Sequence, residues 1–406
     1  MVMKSNWITA TIDDVCTVVT DGAHNSPKSV EQGHYMASVK DFTEFGFDFS
    51  NCKQIGEEDY EKLRNQGCVP EKNDILVGKD GARYFEDIII YKQDERPALL
   101  SSIAILRADC RKITPEFLYY TLKSPAVRKD VRDNYGSGSA IPRIVLKDFK
   151  RMPFSFPSIE EQRKITNLCS AIDAKIQINN AINENLEQQA RAIFQAWFID
   201  YEPFGGVAPS AWHPSTLGQI AELKTDSWSP AKNPDVMVEH YSIPAFDEQH
   251  YPVFEIAAGI KSNKYILNSN SVMISKLNPD TKRIWRPLCL SAHSVCSTEF
   301  IVYEAKKQEQ RDYIYSILDS TPFLNHLCSH TTGSTNSRQR ATPKSTLDFT
   351  LCLPPDSIIE DFCQIVTPMY DLIASNIVEN QSLAKTRDSL LPRLMSGELD
   401  VSSLDI

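Results

Sequence analysis

Several segments of this chain combine hydroxyls, amides and cations at close spacing. Asp21-Gly22-Ala23-His24-Asn25-Ser26-Pro27-Lys28 is followed by Gly33-His34-Tyr35 and then Lys40. Gly78-Lys79-Asp80-Gly81-Ala82-Arg83-Tyr84 and Gly136-Ser137-Gly138-Ser139-Ala140-Ile141-Pro142-Arg143 repeat the mixture. So do Lys276, the cluster Lys282-Arg283-Ile284-Trp285-Arg286, and Thr332 to Arg340 with Lys344 beyond it. Within that last run, Ser334, Asn336, Arg338 and Arg340 alternate small hydroxyls and amides with guanidiniums. Lys, Ser and Thr hold phosphates, whereas Arg, Asn and Gln make paired hydrogen bonds to base edges. The candidate DNA contacts are therefore His24, Asn25, Lys28, His34, Tyr35, Lys40, Lys79, Arg83, Tyr84, Ser137, Ser139 and Arg143. In the later part of the chain they are Lys276, Lys282, Arg283, Arg286, Ser334, Asn336, Arg338, Arg340 and Lys344. Taken singly, each loop also reads as an ordinary solvated loop; two comparable sets in one chain favour nucleic acid.

Catalytic patterns do not accompany these loops. The phosphate-cradling G-x-x-x-x-G-K-[ST] is absent, as are H-E-x-x-H and G-x-S-x-G. No G-x-G-x-x-G follows a strand, and no Asn-Pro-Pro-Tyr or Asp-Pro-Pro-Tyr occurs. The ten cysteines form no C-x-x-C pair, so they read as reduced, buried thiols, and no metal site is expected. A non-catalytic, binding protein is the expectation.

The elements that must hold these loops repeat. Trp7-Ile-Thr-Ala-Thr-Ile is answered by Trp212-His-Pro-Ser-Thr-Leu, Phe117 to Ser124 by Tyr313 to Ser320, and Gly136-Ser137 by Gly333-Ser334. Asp148-Phe149 is echoed by Asp348-Phe349, and Ile172-Asp173 by Tyr370-Asp371, in the same order. The period is too long for a solenoid, so the chain is a duplicated unit. Each unit opens with strand-like runs (74–77, 87–91 and 102–106; 271–275 and 299–303) and a short helix (115–123; 310–318). Each closes with a long amphipathic helix. The first has a Ser158/Glu161 capping box and an apolar stripe from Ile165 through Ile172, Ile176, Ile182 and Ala190 to Trp197. The second has a Ser357/Glu360 box and a stripe from Phe362 through Val366 and Ile373 to Leu394, with Pro368 expected to kink it. Two such stripes most simply bury each other as an antiparallel coiled coil, with Asn179 on the seam fixing register. The expected class is α+β, divided as 1–155, 156–202, 203–353 and 354–406.

The net charge of -10 on 406 residues at first opposes a DNA role. Its distribution removes the objection. Residues 1–155 carry 22 basic and 23 acidic groups and residues 201–352 carry 14 and 15, whereas residues 353–406 carry 3 and 9. Both heads are near neutral, so each can present a basic face locally. No apolar run approaches the roughly 18 residues of a membrane span, and the N-terminus shows no apolar signal core, so a cytoplasmic protein without membrane contact is expected.

These residues resemble the specificity subunits of type I restriction-modification systems, over nearly the whole chain. Ala192-Ile193-Phe194-Gln195-Ala196-Trp197-Phe198-Ile199-Asp200-Tyr201-Glu202-Pro203 looks like the family's central segment. Leu390-Leu391-Pro392-Arg393-Leu394-Met395-Ser396-Gly397-Glu398-Leu399 looks like its C-terminal one, and Pro157 to Gln162 like its helix-start signature. The resemblance implies two target-recognition domains, each reading half of a split site in double-stranded DNA, with the helices setting the spacer. It implies two methyltransferase subunits that use S-adenosylmethionine, translocase-nuclease subunits, and no cofactor on this chain. The implied docking residues are Glu161, Gln162, Phe194, Trp197, Phe198, Leu391, Pro392, Arg393, Leu394 and Met395; the aromatic three read equally well as helix-pair core. A specificity chain of a smaller fused nuclease-methylase system, a helical scaffold without DNA, and an enzyme with a diverged site are the competing readings.

Overall fold

The protein is described by a computed structural model over residues 7–81, 83–136, 143–332, 339–399 and 401. Packing divides it into two units, Met1–Ile178 with Asn380–Ile406, and Asn179–Glu379. The boundary falls inside both long helices, so each unit contains part of each.

The first unit carries β1 (Ile8–Thr11), β2 (Cys16–Asp21), β3 (His34–Ala37), β4 (Lys53–Ile55), β5 (Ile75–Gly78), β6 (Ile88–Ile90), β7 (Ala98–Leu99), β8 (Ile103–Ala108) and β9 (Pro153–Phe156). Its main sheet has the order β2-β8-β5-β6. The central strands are apolar on both faces because both faces are covered. Ile75, Val77, Ala104 and Leu106 point to one core, with Phe117, Leu118 and Phe149. Leu76, Ile103 and Ile105 point to the other, with Phe47 and Tyr91. That division follows the two-residue strand period. The helix Pro115–Lys123 starts on Thr114, whose hydroxyl accepts a hydrogen bond from the Phe117 amide at 3.2 Å, with Pro115 in the first turn. A smaller sheet, β4-β3-β7, pairs β3 parallel to β7, and β1 closes on β9.

The second unit carries β10 (His213–Thr216), β11 (Ala221–Lys224), β12 (Ser227–Trp228), β13 (Met237–Tyr241), β14 (Val253–Ile256), β15 (Lys264–Ile266), β16 (Ser271–Ser275), β17 (Ile284–Trp285), β18 (Ser294–Ser297), β19 (Phe300–Ala305), β20 (Thr331–Thr332), β21 (Arg340–Ala341) and β22 (Thr350–Leu353). Its main sheet, β11-β19-β16-β17, has the same connectivity as β2-β8-β5-β6, and β10 closes on β22 as β1 does on β9. The β14-β13-β18 core of its second sheet matches β4-β3-β7, including the parallel pair, and is extended by β15 and β12. The duplication expected from weak sequence echoes is thus a duplication of topology. The strand and helix spans also match the expected ones to within two residues at each boundary compared, helix Arg311–Asp319 included.

The long helices are Ile159–Phe198 and Asp356–Met395, and in each unit they pack antiparallel. In the second unit Asn179 Nδ2 donates to Glu379 at 2.7 Å and Asn376 Nδ2 to Asn183 Oδ1 at 2.8 Å, so one numbering rises as the other falls. In the first unit the buried Arg387 donates to Asp173 at 2.5 Å, which also accepts from Tyr120 Oη at 2.6 Å. Two details differ from expectation. Ile182 is exposed rather than on the seam, because Asn179 and Asn183 take the inward positions. The second helix begins at Asp356, one residue before the expected Ser357 cap; its carboxylate accepts from Lys307 and Gln310, each at 2.6 Å. No helix among the described residues is long and apolar enough to cross a membrane.

Candidate nucleic-acid interface

In the first unit three loops converge at the end of the main sheet. The turn after β2 must pass close to β7: a Cβ on Gly22 would lie 2.3 Å from the Leu99 carbonyl oxygen. Only glycine fits there without displacing backbone. This places His24, Asn25 and Lys28 on the surface, where the first two line a cleft of about 480 Å³ with Asp59, Lys62 and Gln66. Asp21, at the end of β2, faces Lys79 at 3.3 Å and His24 at 3.4 Å. Lys79 is nearly buried and also meets Asp80 at 3.5 Å, so its charge is largely matched within the unit. Its carbonyl accepts from the Ile144 amide at 2.9 Å, and Asp80 and Arg143 form an isolated bridge. Tyr84 adjoins Gly136, which brings the 78–87 loop against the returning segment.

The second unit repeats this junction. Ala341 N–H donates to the Lys276 carbonyl at 2.9 Å, as Ile144 does to Lys79. Lys276 N–H donates to the Glu299 carbonyl at 2.9 Å, as Lys79 does to Ser102. Arg340 bridges to Leu277, as Arg143 does to Asp80. Lys79 and Lys276, and Arg143 and Arg340, are therefore structural counterparts. Arg143, Arg340 and Lys344 are exposed and Lys276 is partly so.

Other expected contacts are placed elsewhere. The Lys282 to Arg286 cluster is committed to internal carboxylates. Lys282 pairs with Asp319; Arg283 holds Asp247 through two hydrogen bonds of 2.6 and 3.0 Å. Arg286 reaches Asp312 at 2.8 Å and Asp371 at 2.6 Å, and Trp285 is core. The cluster therefore braces the second unit, and its cations are already paired with carboxylates. The sequence showed the cations without showing that acidic residues far along the chain face them. His34 stacks on Tyr60 at 3.8 Å and bonds Glu57, Tyr35 stacks on Phe49, and Arg83 pairs with Asp87 at 3.1 Å. Lys40 is exposed in the turn Val39–Asp41. Ser137, Ser139, Ser334, Asn336 and Arg338 lie outside the described residues. Lys53, which the sequence did not single out, donates to Ser26 at 2.7 Å and holds the His24 loop.

Of the expected docking residues, Gln162 is wholly buried: its side-chain carbonyl accepts from Thr114 N–H, and its amide donates to Lys112 and Pro157 carbonyls. Phe194 and Phe198 are buried with Tyr313 and Phe362, and Leu391 and Leu394 with Ile165 and Cys169. Met395 is half-buried beside Thr121. The side chains of Gln162, Phe194, Phe198, Leu391 and Leu394 are thus packed within their own units. Glu161 and Trp197 are partly exposed; Pro392 and Arg393 are exposed, with Arg393 bonded to Glu398 at 2.7 Å.

Residues 4–188 match the profile of the type I restriction modification DNA specificity domain. That part of the chain is thus similar to the DNA specificity domains of type I restriction-modification systems. The chain is 27% identical to the type I restriction enzyme MjaIX specificity subunit of Methanocaldococcus jannaschii, covering 72% of this chain and 71% of that one. It is 22% identical to the HindI specificity subunit of Haemophilus influenzae, over 81% and 87% of the two chains. A crystal structure of a type I S subunit from M. genitalium shares the fold, with a TM-score of 0.55 at 18% identity over 97% of this chain and 98% of that one. The fold shared with that S subunit spans both copies of the duplicated topology.

Proposed function

We propose that this chain is the sequence-reading, non-catalytic subunit of a type I restriction-modification assembly, directing methyltransferase and restriction subunits to DNA. Each unit reads one half of a split site through the junction at the end of its main sheet. The observation that carries this reading is the recurrence of that junction: the same backbone pairings set Lys79 beside Arg143 and Lys276 beside Arg340. The surrounding residues differ, Ser102 standing where Glu299 stands in the second unit, so the two halves read different sequences. Phosphate contacts position such a protein and base contacts specify the sequence. The exposed Lys28, Lys40 and Lys344 suit the first task, and His24, Asn25, Arg143 and Arg340 the second. Two methyltransferase subunits, which carry the S-adenosylmethionine chemistry, dock on exposed helix-end residues, with Glu161, Trp197, Pro392, Arg393 and the edge of Met395 as contacts. The helices set the distance between half-sites.

The test is an adenine-methylation map of cells carrying the partner methyltransferase with and without this chain. A split motif that appears only with the chain is expected. An active, co-purifying methyltransferase that gains no motif overturns the reading.

A further inference from the structure

Arg340 holds one carboxylate by two donors, as Arg283 holds Asp247, but its side chain is far more exposed. Glu299 accepts from its Nε at 3.0 Å and from its Nη2 at 3.1 Å, so the carboxylate occupies one edge of the guanidinium. The side chain is nonetheless 44% exposed, and no acceptor among the described residues meets Nη1. A guanidinium has five N–H donors in a fixed fork. With Glu299 on the inner edge, the outer Nη1–Nη2 edge keeps two parallel N–H groups. Two parallel donors match O6 and N7 of guanine in the major groove.

The backbone beneath Arg340 is held on two sides. It pairs with Thr332 in the β20–β21 ribbon and bridges to Leu277. Glu299 is fixed in turn: its carbonyl accepts from Lys276 N–H, and its own N–H donates to Ser297 Oγ at 3.2 Å. A reading side chain on rigid backbone with an oriented fork loses little entropy on binding. The pair is also electrically neutral. It adds little to attraction by phosphates, which separates base reading from simple charge.

We propose that Arg340 reads a guanine in the half-site of the second unit, and that Glu299 is the positioning residue that aims it. This rests on the functional reading above and adds the base class and the device. Among the described residues nothing gives Arg143, the counterpart of Arg340, such a device, because Ser102 takes the place of Glu299.

The test uses the full chain co-expressed with its methyltransferase, mapping methylated adenines for wild type, Glu299→Gln, Arg340→Lys and the double variant. Glu299→Gln keeps the side-chain shape, and Arg340→Lys keeps the charge. In both, preference for one guanine (or its paired cytosine) falls on the order of tenfold to a hundredfold, the other half-site stays intact, and the double variant matches Arg340→Lys. The intact half-site shows that the first unit is folded, and retained preference at the remaining bases of the second half-site shows that the second unit is. An unchanged motif in both variants overturns the proposal. Relaxation in Arg340→Lys alone overturns the role of Glu299. A uniform loss across all sites, with a shallower salt dependence of DNA binding, makes Arg340 a phosphate contact and also overturns it. A wild-type chain that imposes no motif overturns the functional reading itself.

Discussion

At the scale of single residues, carboxylates decide which cations are available. Asp312 is 2% exposed and accepts from Arg286, Arg311 and Thr367 Oγ1. Burial by itself raises its pKa, but hydrogen bonds and charge from Arg311 and Arg286 outweigh burial and hold it below the ordinary carboxylate range. A carboxyl whose folded pKa lies below its unfolded value stabilises the fold fully above about pH 4, and that stability is lost as pH falls toward the folded value. Melting temperature against pH should therefore decline more steeply below about pH 4 in wild type than in Asp312→Asn. At neutral pH Asp312→Asn should cost about 3 kcal/mol or more, read by denaturant unfolding, because Arg286 and Arg311 lose a buried counter-charge. Gly22 makes a steric prediction: Gly22→Ala must push its turn away from the Leu99 carbonyl, costing about 1–3 kcal/mol and weakening discrimination in one half-site. A motif untouched by that change would remove the β2 turn from the reading surface.

At the scale of elements, the helix pair is held by apolar seams with polar pins. Asn183–Asn376 in the second unit and Asp173–Arg387 in the first are buried where an apolar pair would pack. Polar residues at such positions select register at the expense of stability. Replacing both Asn183 and Asn376 by Leu should raise the melting temperature while weakening the preference for one register. A lower melting temperature would mean that the amide pair is worth more than the packing that replaces it. Arg387→Ala should cost about 3–5 kcal/mol in chemical denaturation, since the buried Asp173 loses its hydrogen-bonded counter-charge and keeps Tyr120 as a partner.

At the scale of the whole molecule, the chain is one topology used twice, each copy with its own core. Substitutions at the two junctions should therefore act on separate halves of the recognised sequence. Arg143→Ala should alter one half of the methylated motif and leave the half altered by Arg340→Lys unchanged. If both variants changed the same half, the units would not read independently.

Much of this was legible in the sequence because it depends on local pattern. The continuous apolar runs of β5, β8, β16 and β19, the capped short helices and the two long stripes follow from strand and helix periods, which are properties of neighbouring residues. The order of the echoes, from Trp7 and Trp212 to Ile172 and Tyr370, carries the duplication in the sequence itself. The assignment of charge was not legible. Lys282, Arg283 and Arg286 read as a cation cluster in the sequence, and in the fold all three pair with Asp319, Asp247, Asp312 and Asp371. Gln162 and Phe198 looked like docking residues, and folding buries them. Arg340 keeps an exposed, oriented fork, because the pairing beside it brings Glu299 across from the turn before β19. Periodicity tells which face of an element is buried; which charges meet across the fold is a matter of long-range pairing, and only the tertiary structure decides it.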